Sequence, residues 1–378
     1  MLVAVINSAG LADDDSIFSL ENYFDRDMPE GVETSIGITN IYQQNTRGGL
    51  STHRRAGRFS GSYDIELSID LDKFWNIQNS DLYLLVEGAW SESQGIDGTS
   101  VGSYFGVNGD AKPAETIFIS ELWYKYDFSE SLIFRAGKID LTGGFQCRGC
   151  AASFDGNAYA NDETSQFLNG ALVNNPAIPF PDNGLAVHVH YAPVDWWYVA
   201  AAAADAQADI RESGFNTTFD GDDAFFYIFE TAVMPELHSE NGRLPGAYRA
   251  GFWIDSQDKE KFSNSRIVKN DKGFYASFDQ LLFKENNDQE DIQGLGLFGR
   301  YGLADSDLNE VSVFWSVGLS YTGPFQGRAD DVLGFGMAQG IFSDQPAAGF
   351  TEDTETAYEM YYSLAVTDNV TLSPSLQY

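Results

Sequence analysis

Residues 58–72 alternate between apolar and polar side chains without a break. Phe59, Gly61, Tyr63, Ile65, Leu67, Ile69 and Leu71 fall on one face of an extended chain, and Arg58, Ser60, Ser62, Asp64, Glu66, Ser68, Asp70 and Asp72 on the other. Strand side chains point to opposite faces with period two, so the segment has one apolar side and one wet side. At roughly 3.3–3.4 Å per residue it reaches about 50 Å, more than a tilted strand needs to cross a bilayer's hydrocarbon core. Its apolar side must meet either a protein core or lipid.

The pattern recurs to the end of the chain. It predicts strands over 33–44, 58–72, 81–91, 115–127, 131–140, 184–192, 195–205, 224–231, 247–257, 273–284, 292–303, 310–322, 331–340, 355–366 and 369–378. The 28 Phe, 19 Tyr and 7 Trp suit pleated surfaces. Although 43% of residues are hydrophobic, no apolar run reaches the roughly 18 residues of a membrane helix. The connections are asymmetric. Long ones at 45–57, 92–114, 141–183 and 206–223 alternate with short ones at 73–80, 128–130 and 193–194. A later connection, 232–246, is longer than its class, and 304–309 is shorter. Outer-membrane barrels have short periplasmic turns and long outer loops, whereas sandwich strands run only about five or six residues. The expected fold is therefore an all-β, transmembrane antiparallel β-barrel. Single-chain barrels have an even strand number, so fifteen candidates imply sixteen strands, with the missing one expected after Tyr378.

A net charge of -34 repels phosphate backbones and argues against nucleic-acid binding. It leaves two readings open, surface solubility and cation attraction at a pore. Cys147 and Cys150 lack the further ligands of a zinc site and are expected to form a small-loop disulfide. Residues 1–12 resemble a signal-peptide remnant, apolar and ending in small residues but without a positive start, so they are either a signal cut short at its start or an ordinary terminal segment. Residues 13–32 then form an N-terminal periplasmic segment, and 33–378 a barrel incomplete at its C-terminus.

Several stretches resemble the carbohydrate-selective porins of the OprB type. They include Arg55–Phe74, Ile119–Asp140 (with Ser-Glu-Leu-Trp-Tyr-Lys-Tyr and Phe-Arg-Ala-Gly-Lys-Ile-Asp), Gly246–Trp253, Gly273–Glu285, Gly294–Asp305 and Glu355–Tyr378. Each motif alone is mostly strand punctuation; their order along the chain makes the match specific. The resemblance implies a sixteen-stranded barrel in the outer membrane of a Gram-negative bacterium, passing small sugars by passive diffusion.

Selectivity in a pore comes from its diameter and its lining. In a barrel with an apolar exterior, the polar face of each strand is the lumen. This places Arg58, Asp64, Glu66, Glu121, Trp123, Lys125, Arg135, Glu230, Arg249, Gln280 and Arg300 inside. Arg58, Glu121, Trp123, Arg135, Arg249 and Arg300 are the pore-lining and sugar-contact candidates. An arginine fork suits paired hydroxyls and an aromatic plate suits a sugar's C–H face, although lumen salt bridges that stiffen the wall would use the same residue types. The loop 141–183 is expected to fold inward and narrow the pore. His188 and His190 share a strand face, but with no third ligand nearby they read as polar lining. No nucleophile motif, P-loop or dinucleotide fingerprint is present, so neither enzyme activity, a cofactor nor a metal is expected. The partners implied are sugars in transit, outer-membrane lipid and lipopolysaccharide, with a homotrimer left open. A general cation-preferring porin and a soluble secreted β-rich binding protein are the alternatives.

Overall fold

Each of the fifteen segments that the alternation marks is a strand in the computed structural model, which describes residues 2–8, 28–89, 95–111, 116–142, 154–219, 221, 223–288 and 291–378. The strands are β1 (Leu2–Ser8), β2 (Val32–Gln44), β3 (Gly57–Asp70), β4 (Ser80–Ala89), β5 (Thr116–Ser129), β6 (Leu132–Ile139), β7 (Gly184–Val194) and β8 (Trp197–Asp205). They continue as β9 (Phe225–Val233), β10 (Gly242–Asp255), β11 (Asp271–Lys284), β12 (Gly294–Leu303), β13 (Val311–Thr322), β14 (Val332–Phe342), β15 (Thr354–Thr367) and β16, which runs in two pieces, Val370–Leu372 and Ser375–Gln377.

Each strand from β2 onward pairs antiparallel with the next. Leu2–Ser8 pairs with β2 along its whole length and with β16 through Ala4↔Leu372 and Val5↔Thr371. Leu2–Ser8, within the segment expected to be a leader remnant or an ordinary terminal segment, thus lies between β16 and β2. The physical reason is the edge: unpaired N–H and C=O groups of β2 and β16 have no water to turn to in hydrocarbon, and a short apolar run can satisfy them.

Alternation assigns the faces. Phe59 is 70% exposed and its neighbours Ser60 and Ser62 are buried. On β7, Val187, Val189 and Tyr191 are exposed while His188 between them is 5% exposed. The apolar residues line the exterior, where lipid replaces water, and the polar ones turn into the lumen.

The connections sort by end. One end carries 45–56, 90–115, 140–183 and 206–224, and the other carries the short turns 130–131, 195–196 and 368–369. The predicted strand over 58–72 stops at Asp70, because Leu71–Trp75 is a short helix. Asp70 caps it, its carboxylate accepting the N–H groups of Asp72 and Lys73 at 3.1 Å each. The long connection read at 232–246 is a hairpin in which Glu236–Ser239 pairs with the start of β10.

Val189 sits mid-strand on the exterior with Phe134 and Ala201 as cross-strand neighbours. Val189→Arg should therefore cost about 2–4 kcal/mol of unfolding free energy, and Val189→Leu less than about 1.5 kcal/mol. Denaturant titration in lipid vesicles measures both, and equal effects would contradict the assignment of this face to lipid.

Candidate functional site

The lumen is narrowed from within. Residues 154–178 of the longest connection do not stand out from the barrel end: Phe154, Asp155, Ala160, Phe167, Leu172 and Ala177 are all buried. A backbone segment away from water needs partners for its N–H and C=O groups, and three buried charged side chains on the wall supply many of them.

Glu230 on β9 accepts the Asp155 N–H at 2.8 Å, with the hydroxyls of Tyr198 at 2.7 Å and Tyr275 at 3.0 Å on the same carboxylate. Arg300 on β12 donates Nη1 to the Leu172 carbonyl at 2.9 Å, Nη2 to Asn161 Oδ1 at 3.2 Å and Nε to the Asp155 carbonyl at 3.3 Å. Its Nε also lies 3.1 Å from the Asp155 carboxylate. Glu359 on β15 accepts the N–H groups of Asn169 at 2.8 Å and Leu168 at 3.2 Å, and the Ser375 hydroxyl at 2.6 Å. Carboxylates receive the loop's donors, and the guanidinium serves its acceptors.

Packing completes the seat. Phe167 lies against Phe298 and Tyr361, with ring centroids 5.4 and 4.9 Å apart. Glycines on the facing wall make room. A Cβ on Gly336 would meet Leu172 Cδ2 at 2.7 Å, and one on Gly302 would meet Asn175 Oδ1 at 2.5 Å.

A second loop, described over 95–111, also enters. The Val107 carbonyl accepts from Gln43 Nε2 at 2.7 Å and Gln377 Nε2 at 3.0 Å. Asn108 reaches Ser60, and the Ser62 hydroxyl donates to Asp110 at 2.7 Å. The two loops meet where the Gly109 N–H donates to the Leu168 carbonyl at 2.7 Å.

Burial lifts the Asp155 carboxyl to about 7; Arg300 opposes this rise and Glu230 adds to it. A carboxyl raised above its ordinary value binds its proton more tightly when the loop is docked than when it is free. The stability it contributes is complete below about pH 4 and is lost as the pH rises through about 7.

The six sequence candidates do not converge on one ring. Glu121, Trp123 and Arg135 come together on β5 and β6. Trp123 Nε1 donates to Glu121 Oε2 at 3.1 Å, the Arg135 guanidinium lies 4.8 Å from the Trp123 ring centroid, and Tyr83 stacks on Trp123 at 4.8 Å. Glu121 also accepts the Asp140 N–H at 3.0 Å. Arg249 faces inward from β10 and pairs with Asp279 at 2.6 Å. Arg300 is enclosed by the loop it anchors. Arg58 sits at the start of β3, two residues from Ser60, toward the end with the long loops.

Of the other inward candidates, Lys125 pairs with Asp81 at 2.8 Å and Asp127 at 3.2 Å. Gln280 is a correction. It shares a β11 face with Phe274 and Phe278 and so turns outward, where Tyr248 donates to it at 3.1 Å and its amide donates to the Leu244 and Pro245 carbonyls. Gln280 is buried there, and these hydrogen bonds let a polar residue sit on the apolar side. His188 lies edge-on to Phe154 and His190 packs on Tyr198. Among the described residues, no group of three or more His, Cys, Asp or Glu is placed to hold a metal ion. Cys147 and Cys150 lie outside the described residues.

Sequence reasoning missed Glu359 and Asp155. Glu359 carries a legible signal, an acid on the inward face of the alternating run Thr354–Thr367. Asp155 carries none, because its partners lie on strands far along the chain.

The model of the family described as carbohydrate-selective porin, OprB family, matches residues 54–378. Porin B of Pseudomonas aeruginosa is 24% identical over 389 residues, covering 93% of this chain and 83% of that protein. The high-pH structure of Pseudomonas putida OprB superposes with a TM-score of 0.77 at 20% identity, covering 92% of this chain and 89% of that one. The low-pH structure of the same protein gives 0.52 at 17% identity, covering 100% and 85%.

Arg300→Ala leaves Asp155 buried without its cation and should cost about 3–5 kcal/mol. The loop should become protease-sensitive within 154–178, and single-channel conductance should rise. An unchanged conductance would mean the loop does not narrow the conducting path. Protection of 154–178 from proteolysis should also fall between pH 4 and pH 8. Asp155→Asn should flatten that dependence, and an identical profile in the variant would remove Asp155 as its source.

Proposed function

Since this chain belongs to the carbohydrate-selective porin family, we propose that sugars pass beside the clamped loop, along the inward face of β3–β6. The protein is a porin of the Gram-negative outer membrane, passing carbohydrates. The inward seating of residues 154–178 carries the finer reading. A sixteen-stranded barrel would otherwise enclose a wide aqueous channel, which discriminates poorly among small solutes.

The polar side chains on the inward face of β3–β6 are Arg58, Asp64, Glu66, Glu87, Glu121 and Arg135; Glu121, Trp123 and Tyr83 are buried, and the two rings share one cluster with Phe154 of the loop. Such a wall offers neutral polyols alternating donors and acceptors, held in place by neighbouring charges. Arg135, the most exposed member of that cluster, is the sugar contact this reading favours, with the buried Glu121 and Trp123 as the groups that position it. Arg300 serves the loop, and Arg249 serves Asp279. The reading assigns the chain no catalytic step.

One observation favours a cation preference as a second reading. Asp64 and Glu87 are direct cross-strand partners on the inward face, and Glu66 follows on the same side. Acids so placed raise the local cation concentration.

Vesicle-swelling rates with sugars of increasing size, together with reversal potentials in a salt gradient, separate the two. Arg135→Ala should lower the uptake of monosaccharides several-fold relative to a small uncharged solute, with ionic conductance changed by less than about twofold. Strong cation selectivity without sugar block would reject the sugar-preferring reading. Loss of that selectivity in Asp64→Asn/Glu66→Gln would then establish the acidic one.

A further inference from the structure

The chain holds 56 acidic and 22 basic residues, yet no acid occurs between Glu33 and Asp64. The same stretch carries Arg47, Arg54, Arg55, Arg58 and His53. Arg47, His53, Arg54 and Arg55 lie in the loop 45–56 that joins β2 to β3, and all four are exposed. Among the described residues, the ion pairs formed elsewhere on the molecule involve none of these arginines. On a surface so rich in carboxylates, a loop cleared of acids is a departure from the rest of the chain.

The loop is built rather than loose. The Asn45 N–H donates to the Ala56 carbonyl at 2.7 Å, closing its base. Asn45 Nδ2 donates to the carbonyls of Gly48 and Ser100, each at 3.0 Å. Ser51 Oγ accepts the N–H groups of His53 at 3.2 Å and Arg54 at 2.9 Å, and the Ser100 hydroxyl donates to the Ser51 carbonyl at 2.6 Å. Arg55 is held at φ 52°, a left-handed conformation that costs a non-glycine residue energy and persists only where the surroundings fix it. The cationic side chains therefore project from a fixed frame, which lowers the entropy lost on engaging a ligand.

Their height is marked by neighbouring aromatics. Tyr42 and Phe59 face each other across β2 and β3 with ring centroids 4.8 Å apart, and Phe59 is 70% exposed on the lipid side. Aromatic belts of this kind sit at the headgroup level of a bilayer. The arginines lie immediately beyond that level, beside exposed Leu50, at the end with the long loops. Arginine is the side chain best matched to phosphate, through its planar and permanently charged fork.

We propose that loop 45–56 is a binding site for the phosphate groups of an anionic glycolipid in the outer leaflet, with Arg47, Arg54 and Arg55 as its cations. The site rests on the outer-membrane reading but not on sugar transport. It also answers a problem set by the net charge: a barrel this acidic repels anionic headgroups, and a basic loop supplies one place where they can dock.

The test uses the full chain in detergent and, as probe, deep-rough lipopolysaccharide carrying its lipid A phosphates, alongside the same glycolipid after phosphatase treatment and inorganic phosphate. Native mass spectrometry should show the phosphorylated form bound at least tenfold more tightly than the dephosphorylated one, consistent with roughly fivefold per arginine near a charged membrane surface. Arg47→Gln/Arg54→Gln/Arg55→Asn should abolish that difference, with heat-modifiable gel mobility confirming a folded barrel. Arg47→Gln and Arg54→Gln singly serve if the triple variant does not fold. Conductance and sugar uptake should stay unchanged, which separates this site from the transport reading. Equal binding of both glycolipid forms, or of wild type and variant, overturns the proposal. So does competition by micromolar inorganic phosphate, which would make this a site for free anions. Altered flux of anionic sugars with unaltered glycolipid binding overturns it as well, in favour of electrostatic steering at the mouth.

Discussion

A chain that crosses hydrocarbon on strands must pair every backbone N–H and C=O with another strand, because no water is available to take them. The rest of this structure follows from that constraint. It demands a sheet whose first and last members find partners, and here the short pairing of β1 with β16 meets that demand. It fixes side chains by parity, so that an apolar exterior leaves the polar face for the interior. It also displaces irregular backbone to the two ends, or into the lumen where other groups can satisfy it.

The interior shows what that displacement requires. A loop laid across the wall brings its own amides and carbonyls out of water. Glu230, Arg300 and Glu359 receive them, each from a different strand and each nearly fully buried. An isolated charge so placed would be costly; these three are stable because the loop's dipoles and the neighbouring hydroxyls surround them. The dependence is mutual, since the loop gains its seat from charges that are tolerable only in its presence.

Local physics made most of the fold legible. Period-two alternation, uninterrupted from Phe59 to Ile69 and repeated from Val311 to Tyr321, found the long strands because lipid imposes one apolar face along their whole length. A short apolar run ending near small residues, such as Leu2–Ser8, has the same composition whether it is exported leader or wall. Polarity alone points Gln280 inward, whereas its register with Phe274 and Phe278 on one strand face turns it outward. The site was less legible. Arg300 stood out as an arginine on an inward face, but whether it meets a sugar or a loop carbonyl depends on Leu172 and Asp155, far away in sequence. Only the tertiary fold brings those groups together.

The distribution of charge bears on selectivity more than its sum does. Several inward acids are already engaged. Glu230 and Glu359 accept backbone N–H groups, Asp279 is paired with Arg249, Asp155 with Arg300, and Asp81 and Asp127 share Lys125. Carboxylates so engaged offer a passing cation little. Asp64, Glu66 and Glu87 form a separate inward strip on β3 and β4. A net charge of -34 is a sum over the whole chain, and pairing of this kind means that it does not by itself set the field inside the channel.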